Sequence, residues 1–206
     1  VTGVQTCALP ICGSRRTPDP RYFIGSGNND TFDGGRGDDT LNGGAGTDQA
    51  RFQQSDAGVV VNLGTAALTL SSSAFSVTGL AGSITVAAGT AYDGMGGTDT
   101  LISIEDIKGS DFNDYMRGSD SLTVREYFSG DGGNDSIDGG AGVDFVTYGG
   151  VPLANGGINA SLVPDADGFV RIADGQGGID RLLNIEGISG TQSADTLVGG
   201  TGNDWF

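Results

Sequence analysis

Apolar and polar positions repeat with a nine-residue period along much of the 206-residue chain. Residues 34–42, 43–51 and 139–147 read GGRGDDTLN, GGAGTDQAR and GGAGVDFVT, with glycine first, aspartate sixth and an apolar residue eighth. Seven further segments keep glycine first and aspartate sixth, and they begin at residues 25, 94, 109, 130, 175, 190 and 199. A fixed short period predicts stacked repeats, because one such unit cannot bury its apolar face alone.

Each nonamer is expected to form a six-residue turn, in which glycine permits positive φ, followed by a short strand. The eighth residues then point inward and are predicted to stack as the core: Phe32, Leu41, Leu101, Met116, Ile137, Val146, Leu182, Leu197 and Phe206. Two nonamers make one coil, so turns 18 residues apart lie above one another at the strand spacing of about 4.8 Å. No segment shows helical periodicity with caps, so almost no helix is expected.

Two simpler interpretations apply to a single nonamer. Asp-Gly and Asn-Gly steps occur in ordinary hairpin turns, and Gly/Asp-rich segments also serve as flexible linkers. Neither interpretation predicts a constant phase with an apolar residue two places after each aspartate. Ten copies keep the phase, and only Ala50 is small at the eighth position.

Three repeat blocks and two excursions are expected along the chain. The predicted divisions are an N-terminus at 1–20, a repeat block at 21–51, a β-rich excursion at 52–93, a second block at 94–147, a hairpin-containing excursion at 148–174 and a third block at 175–206. VVVNL (59–63) and SITVA (83–87) are predicted strands, and Pro164–Gly168 between INASLV and FVRIA predicts a hairpin. We expect the excursions to lie on or beside the coils as extra β-structure.

The first eleven residues, VTGVQTCALPI, do not share the period. One reverse translation of them resembles a common sequencing-library adapter, so we expect that they are not native sequence and that residues 1–20 are adapter-derived or disordered. Cys7 and Cys12 fall in or beside this stretch and therefore predict no disulfide.

The net charge of −16, from 26 Asp+Glu against 10 Lys+Arg, excludes several functions. Nucleic acid and anionic lipid both require clusters of Lys and Arg, which are missing. No apolar run reaches the roughly 18 residues of a membrane span. The chain has no His, which removes His-dependent triads and His-ligated metal sites.

The acidic residues themselves suggest a metal. All are Asp except Glu105, Glu126 and Glu186. Short carboxylates in turns, together with converging main-chain carbonyls, form the oxygen cage that Ca²⁺ prefers. The predicted ligands are the sixth residues of the nonamers: Asp30, Asp39, Asp48, Asp99, Asp114, Asp135, Asp144, Asp180, Asp195 and Asp204.

The spacing also predicts which ligands meet. Asp30 and Asp48 are 18 residues apart in an unbroken run, so they are expected to share one ion. Asp39 lies at the other edge with no intact nonamer two units away, which predicts a partial site.

Later pairings depend on the segments between nonamers. Asp114 and Asp135 share an edge if 118–129 forms one half-coil, and Asp144 then lies opposite, with Asp120 as a candidate partner. The segments 103–108 and 184–189 are interpreted as widened half-coils, whose Glu105 and Glu186 either cap, ligate or remain solvated. The turns 109–114 and 190–195 lack most glycines, so they either bind weakly or only complete coils.

The nonamer G-G-x-G-x-D-x-U-x, with U apolar, is the signature of the repeats-in-toxin (hemolysin-type calcium-binding) family, which the chain resembles over its repeat blocks. The resemblance implies an all-β fold, a parallel β-roll that is a right-handed β-solenoid, holding several Ca²⁺ ions. It also implies a type I secretion system as partner, a secreted, extracellular location and folding on meeting Ca²⁺.

We therefore expect a calcium-binding module of a secreted bacterial protein, without catalysis of its own. Neither HExxH nor a nucleophile elbow occurs in the sequence. The alternatives are the non-catalytic part of a secreted hydrolase, protease or epimerase, and a segment of a repetitive adhesin. Calcium ions are the expected partners, nucleic acid and a membrane span are not, and a protein or glycan ligand stays open.

Overall fold

The computed structural model describes residues 4–6, 12–13, 19–71, 76–149 and 157–206, with backbone only at 4–6 and 12–13. This part of the chain contains no helix, and so none long and apolar enough to cross a membrane. Its strands are β1 (Val4–Thr6), β2 (Cys12–Gly13), β3 (Tyr22–Ile24), β4 (Thr31–Asp33), β5 (Thr40–Asn42), β6 (Gln49–Arg51), β7 (Val60–Asn62), β8 (Leu68–Ser71), β9 (Ser83–Val86), β10 (Thr90–Tyr92), β11 (Thr98–Ile102), β12 (Asp106–Lys108), β13 (Tyr115–Arg117), β14 (Tyr127–Ser129), β15 (Ser136–Asp138), β16 (Phe145–Thr147), β17 (Asn159–Ser161), β18 (Val170–Ala173), β19 (Ile179–Leu183), β20 (Gly187–Ser189) and β21 (Thr196–Val198).

Strands of the repeat blocks alternate between two facing sheets. Within the described residues the ten-stranded sheet has the order β1-β3-β5-β11-β10-β7-β13-β15-β19-β18, and the seven-stranded sheet has the order β2-β4-β6-β12-β14-β16-β20. Parallel pairs in the first block are offset by 18 residues, as between Tyr22 and Thr40 and between Thr31 and Gln49. Two turns and two strands thus make one coil, and the fold is a parallel β-roll, as predicted.

The core between the sheets consists largely of the eighth residues of the nonamers. Seven predicted core residues are buried there: Phe32, Leu41, Leu101, Met116, Ile137, Val146 and Leu182. Leu197 is only partly buried, because β21 pairs with β17 and not with either large sheet. The prediction for Phe206 is wrong: it is 61% exposed, since no coil among the described residues covers it.

The first excursion enters the roll instead of only lying beside it. After β6 the chain forms β7, which pairs with β13 in the second repeat block. It then returns through the antiparallel strands β10 and β11, and β11 pairs in parallel with β5. The predicted strands at 59–63 and 83–87 appear as β7 and β9, and the β8–β9 hairpin forms a separate two-stranded sheet.

The second excursion forms a different hairpin from the one predicted. A turn does form at 165–168, where the N–H of Gly168 donates to the Asp165 carbonyl (3.0 Å). The flanking strands do not pair, because β17 pairs with β21 and β18 pairs antiparallel with β19. The chain instead folds back at the loop 174–178, where β18 and β19 pair with each other. β18 thereby adds one antiparallel strand to the ten-stranded sheet.

The segments 103–108 and 184–189 are short half-coils, so the prediction that they are widened is wrong. In each segment the chain reverses direction within three residues and then forms a three-residue strand, β12 or β20. Ser103 and Asn184 adopt positive φ (49° and 52°), which shortens the turn. The segment 118–129 does complete one half-coil, since β14 pairs in parallel with both β12 and β16.

Candidate metal sites

The turns that lead into the seven-stranded sheet carry a row of carboxylates, here called the glutamate edge. Its members are Asp30, Asp48, Glu105, Glu126, Asp144 and Glu186. Hydrogen bonds join most neighbours in this row: the N–H of Asp30 donates to Asp48 Oδ1 (2.7 Å), and the N–H of Asp48 donates to Glu105 Oε2 (3.0 Å). The N–H of Asp144 likewise donates to Glu186 Oε2 (2.9 Å). The glutamates therefore cap the neighbouring turn and take the place of the motif aspartate.

The turns that lead into the ten-stranded sheet carry a second row, here called the aspartate edge, made of Asp39, Asp99, Asp114, Asp135 and Asp180. The N–H of Asp39 donates to Asp99 Oδ1 (2.9 Å). Further along, the N–H of Asp114 donates to Asp135 Oδ1 (2.8 Å), and the N–H of Asp135 donates to Asp180 Oδ1 (3.0 Å). One oxygen of each acceptor carboxylate thus holds adjacent coils together, which leaves the second oxygen for another partner.

That second oxygen is orphaned in several turns. The Oδ2 atom is buried and has no hydrogen-bond partner among the described residues in four of the predicted ligands: Asp48, Asp99, Asp135 and Asp144. A buried carboxylate oxygen without a donor or cation costs several kcal/mol on the order-of-magnitude scale of ion desolvation. Such an arrangement is expected where a bound cation completes the structure.

The atoms around two of these oxygens suit a cation. A Cβ atom on Gly34 would lie 3.0 Å from Asp99 Oδ2, and one on Gly139 would lie 3.0 Å from Asp144 Oδ2 and would contact the main-chain oxygen of Asn184. Carboxylate and main-chain oxygens together are the donor set that Ca²⁺ prefers. In the described ranges no group of three or more acidic side chains already surrounds one point, so main-chain carbonyls would share the coordination.

Other turns satisfy their carboxylates internally. Ser110 Oγ donates to Asp114 Oδ1 and the Ser110 N–H donates to Asp114 Oδ2, both at 2.7 Å. In three turns the second residue is Ser or Thr and its hydroxyl reaches the aspartate: Ser26 to Asp30, Ser110 to Asp114 and Thr191 to Asp195. The main-chain N–H of the same residue donates to Oδ2 in each of these turns, so the oxygen that is orphaned elsewhere already has a donor here.

Two carboxylates of the aspartate edge are satisfied from outside their own turns. The Arg21 N–H donates to Asp39 Oδ1 (2.7 Å), and the Arg21 guanidinium lies 3.2 Å from Asp39 Oδ2. The Tyr148 hydroxyl donates to Asp180 Oδ2 at 3.0 Å. A positive charge and a hydroxyl thus stand where other turns keep a free oxygen.

Burial raises the pKa of the orphaned carboxyls. Desolvation raises the pKa of Asp99 to about 8 and that of Asp144 to about 7. The pKa of Asp135 rises to about 10, first through burial and then through the charges of Asp114 and Asp180. Without cations, the folded roll therefore favours protonated carboxyls at these positions.

The structure changes two predicted pairings. The sequence predicts no intact nonamer beside the turn of Asp39. In the structure β11 pairs with β5, and this pairing places Asp99, 60 residues later in the chain, beside Asp39. Asp144 does not meet Asp120, which instead accepts hydrogen bonds from Thr65 and Arg117. The partner of Asp144 is Glu126, whose N–H donates to Asp144 Oδ1 (3.1 Å).

The last two predicted ligands lie at the end of the roll. Asp195 Oδ1 accepts the Ile158 N–H (2.8 Å), because β21 pairs with β17. Asp204 directly precedes Trp205, which bridges to Gly187 and extends the seven-stranded sheet. The carboxylate oxygens of Asp195 and Asp204 are not among the buried oxygens that lack a hydrogen-bond partner.

Sequence reasoning missed Glu126, Asp93 and Asp174. Glu126 occupies an irregular half-coil, although it is the one carboxylate near the end of that segment, which was a usable signal. Asp93 and Asp174 precede the first glycine of a nonamer, outside the motif position. Both are buried, and each keeps an orphaned Oδ2.

Two stacked rows of turn carboxylates with buried, orphaned oxygens define a calcium-binding β-roll module. A family model of the RTX calcium-binding nonapeptide repeat matches the chain in four copies, over residues 22–50, 125–150 and 188–206. The chain therefore carries RTX calcium-binding repeats, which cover roughly a third of its length in that match. No curated protein matches the chain.

Proposed function

We propose that this module is part of a secreted bacterial protein, folds when it meets extracellular Ca²⁺, and catalyses no reaction itself. The orphaned, buried carboxylate oxygens of the two edges carry this proposal. The net charge of −16 makes the compact state repulsive unless cations neutralise it. Ions that bind only the folded state supply folding free energy by linkage.

Secretion gives this linkage its biological meaning. Extracellular calcium modules commonly bind at about 10⁻⁴–10⁻³ M, a concentration that the cytoplasm does not reach. An unfolded chain inside the cell would suit passage through a type I secretion channel, and the family resemblance names that machinery as partner. The outside solution then provides both the ions and the place for folding.

The absence of catalysis rests on the chemistry of the sequence. The chain has no His, and its clustered carboxylates occupy the calcium motif. The alternatives remain a non-catalytic part of a secreted hydrolase, protease or epimerase, and a segment of an adhesin. The full reading frame separates them, since a neighbouring catalytic domain or many further repeat blocks would be found.

Far-UV circular dichroism during a Ca²⁺ titration tests the proposal. In chelator we expect a spectrum of an unfolded chain, and millimolar Ca²⁺ should produce a β-rich spectrum in a cooperative transition. Mg²⁺ at the same concentration is the control, because it prefers octahedral sites with several waters and should leave the chain unfolded. A β-rich spectrum that is unchanged by chelator would contradict the proposal.

A further inference from the structure

Two antiparallel hairpin loops in the ten-stranded sheet share one sequence pattern and one geometry. The loop at 93–97 (DGMGG) joins β10 to β11, and the loop at 174–178 (DGQGG) joins β18 to β19, 81 residues later. Both are the places where a strand from an excursion turns back into the roll. Each begins with the aspartate that the nonapeptide motif does not include.

One oxygen of each aspartate shapes its loop. Asp93 Oδ1 accepts the N–H groups of Met95 and Gly97, both at 2.8 Å. Asp174 Oδ1 accepts the N–H groups of Gln176 (2.7 Å) and Gly178 (2.9 Å), as well as that of the intervening glycine. An aspartate that only closes a turn needs no more than this oxygen.

The other oxygen has no such role. Asp93 is 0% exposed and Asp174 is 1% exposed, and the Oδ2 atom of each has no hydrogen-bond partner within the described residues. An unpartnered buried carboxylate oxygen is costly, yet it occurs at both equivalent positions. A shared ligand accounts for both.

Each free oxygen faces a neighbouring turn. A Cβ atom on Gly97 would lie 2.8 Å from Asp93 Oδ2 and would also contact the main-chain oxygen of Gly37. A Cβ atom on Gly178 would lie 2.8 Å from Asp174 Oδ2 and would contact the main-chain oxygen of Gly133. A carboxylate oxygen and a carbonyl oxygen therefore border the same gap in both places.

The turns across these gaps are acidic. Asp39 and Asp99 interact electrostatically with Asp93, and Asp135 and Asp180 do so with Asp174. Asp99 and Asp135 have orphaned Oδ2 atoms of their own. The free oxygens of Asp93 and Asp99 at one loop, and of Asp174 and Asp135 at the other, each join a main-chain carbonyl in a donor set suited to a hard divalent cation.

We propose that Asp93 and Asp174 are ligands of two equivalent Ca²⁺ sites, each between a hairpin loop and the adjacent turn, 34–39 or 130–135. The proposal rests on calcium binding by the module and adds ligands outside the nonapeptide motif. Each ion joins a strand contributed by an excursion to the coils of the roll. The two sites therefore fasten the inserted strands β10 and β18 to the ten-stranded sheet.

Calorimetric titration of Ca²⁺ into Asp93→Asn, Asp174→Asn and the double variant tests this assignment. Asn keeps the Oδ1 acceptor of the loop and replaces Oδ2 with an uncharged NH₂ group, which does not coordinate Ca²⁺. We expect each single variant to lose one bound ion, or to bind it at least tenfold more weakly, and the double variant to lose two. Asp19→Asn with Asp167→Asn is the control, since both side chains are exposed and the charge change is the same.

A structural role for the two aspartates would give a different result. Urea unfolding is compared in Ca²⁺ and in calcium-free sodium sulfate, which strengthens apolar burial. We expect the double variant to be less stable than the wild type in Ca²⁺ only, because in the calcium-free folded state the change removes a buried, unpartnered charge. Circular dichroism at saturating Ca²⁺ checks that the variants fold.

The outcomes separate this inference from the proposed function. An unchanged ion count and affinity in the double variant, with a wild type that binds Ca²⁺, would overturn only the hairpin sites. The same would follow from an equal loss of stability with and without Ca²⁺. A wild type that binds no Ca²⁺ would overturn both.

Discussion

The turns at 43–48 and 109–114 have the same length and lie at opposite edges of the roll, and they differ in how they satisfy their aspartates. Gly44 is the second residue of the first turn, and Asp48 Oδ2 there is buried with no partner among the described residues. Ser110 is the second residue of the other turn and holds both oxygens of Asp114. One residue thus decides whether a carboxylate is kept for a cation or satisfied by the protein.

This difference divides the roll into two kinds of turn. We expect turns with an orphaned oxygen to need an ion, whereas turns with a hydroxyl already supply donors to the carboxylate. The second kind preserves the stacking between coils where no ion binds. We therefore expect the roll to bind fewer ions than its ten aspartate turns suggest.

The largest expected effect is that of pH on the calcium-free chain. The pKa values of Asp99, Asp144 and Asp135 rise through burial to about 8, about 7 and about 10, from an ordinary value of 3.8. The folded state therefore binds more protons than the unfolded chain above about pH 4, and its stability falls as the pH rises through 7 to 8. Without Ca²⁺, acidification from pH 8 to about pH 4.5 should induce the β-rich circular dichroism spectrum.

Calcium reverses this dependence, because it binds the ionised carboxylates and its affinity rises with pH. Buffers depleted of Ca²⁺ on a chelating resin are required, since soluble chelators weaken in acid. Asp99→Asn with Asp135→Asn serves as the comparison and should fold at higher pH without Ca²⁺. A calcium-free chain that is equally unfolded at both pH values would contradict the conclusion that burial raises the pKa values of these aspartates.

The second effect concerns the orphaned oxygens of the glutamate edge. Asp48→Asn with Asp144→Asn should raise the Ca²⁺ midpoint of folding by about tenfold or more, which corresponds to ~1.4 kcal/mol per factor of ten. The matched variant is Asp114→Asn with Asp195→Asn, which makes the same charge change at carboxylates that Ser110 and Thr191 already hold. Its midpoint should change by less than about threefold. Equal shifts in the two variants would mean that the hydroxyl turns also bind ions.

Much of this roll could be predicted from the sequence, because the nine-residue period is local. It predicts the strands, the buried column through Phe32 and Leu41, and the stacking of Asp30 on Asp48. The turns at 109–114 and 190–195 were also recognisable as different from the others by their missing glycines. Their physical cause, a hydroxyl donated to the carboxylate, lies within four residues of the aspartate.

Long-range pairings escaped prediction. Asp99 lies beside Asp39 because β7 and β10 enter the ten-stranded sheet. The strands there no longer follow one another in chain order, and β11 stands next to β5. No local pattern indicates which coil an excursion joins, since a short strand such as β7 satisfies its hydrogen bonds equally well beside several partners. The same holds for the Tyr148 hydroxyl, which meets Asp180 across 32 residues.

The third effect is the exchange of the two kinds of turn. Ser110→Ala removes the hydroxyl from Asp114 and should destabilise the calcium-free roll by about 1 kcal/mol, the usual worth of a hydrogen bond. Asp114 Oδ1 then keeps only the Val59 N–H as a donor, so the Ca²⁺ midpoint of folding should fall. Met95→Ser should do the opposite by placing a hydroxyl near Asp99. Ser193→Ala, an exposed position in a similar turn, is the control and should change neither quantity.

The smallest expected effect comes from Tyr148→Phe. This change removes only the hydroxyl that donates to Asp180 Oδ2, and the buried ring keeps its packing. The calcium-free roll should lose about 1 kcal/mol at acidic pH, where it is folded, because Asp180 loses one donor. In Ca²⁺ the loss should shrink or vanish, since the freed oxygen becomes available to the ion between the turns of Asp135 and Asp180. Urea unfolding at both conditions measures the difference, and an equal loss in each would show that Tyr148 stabilises the roll without standing in for a cation.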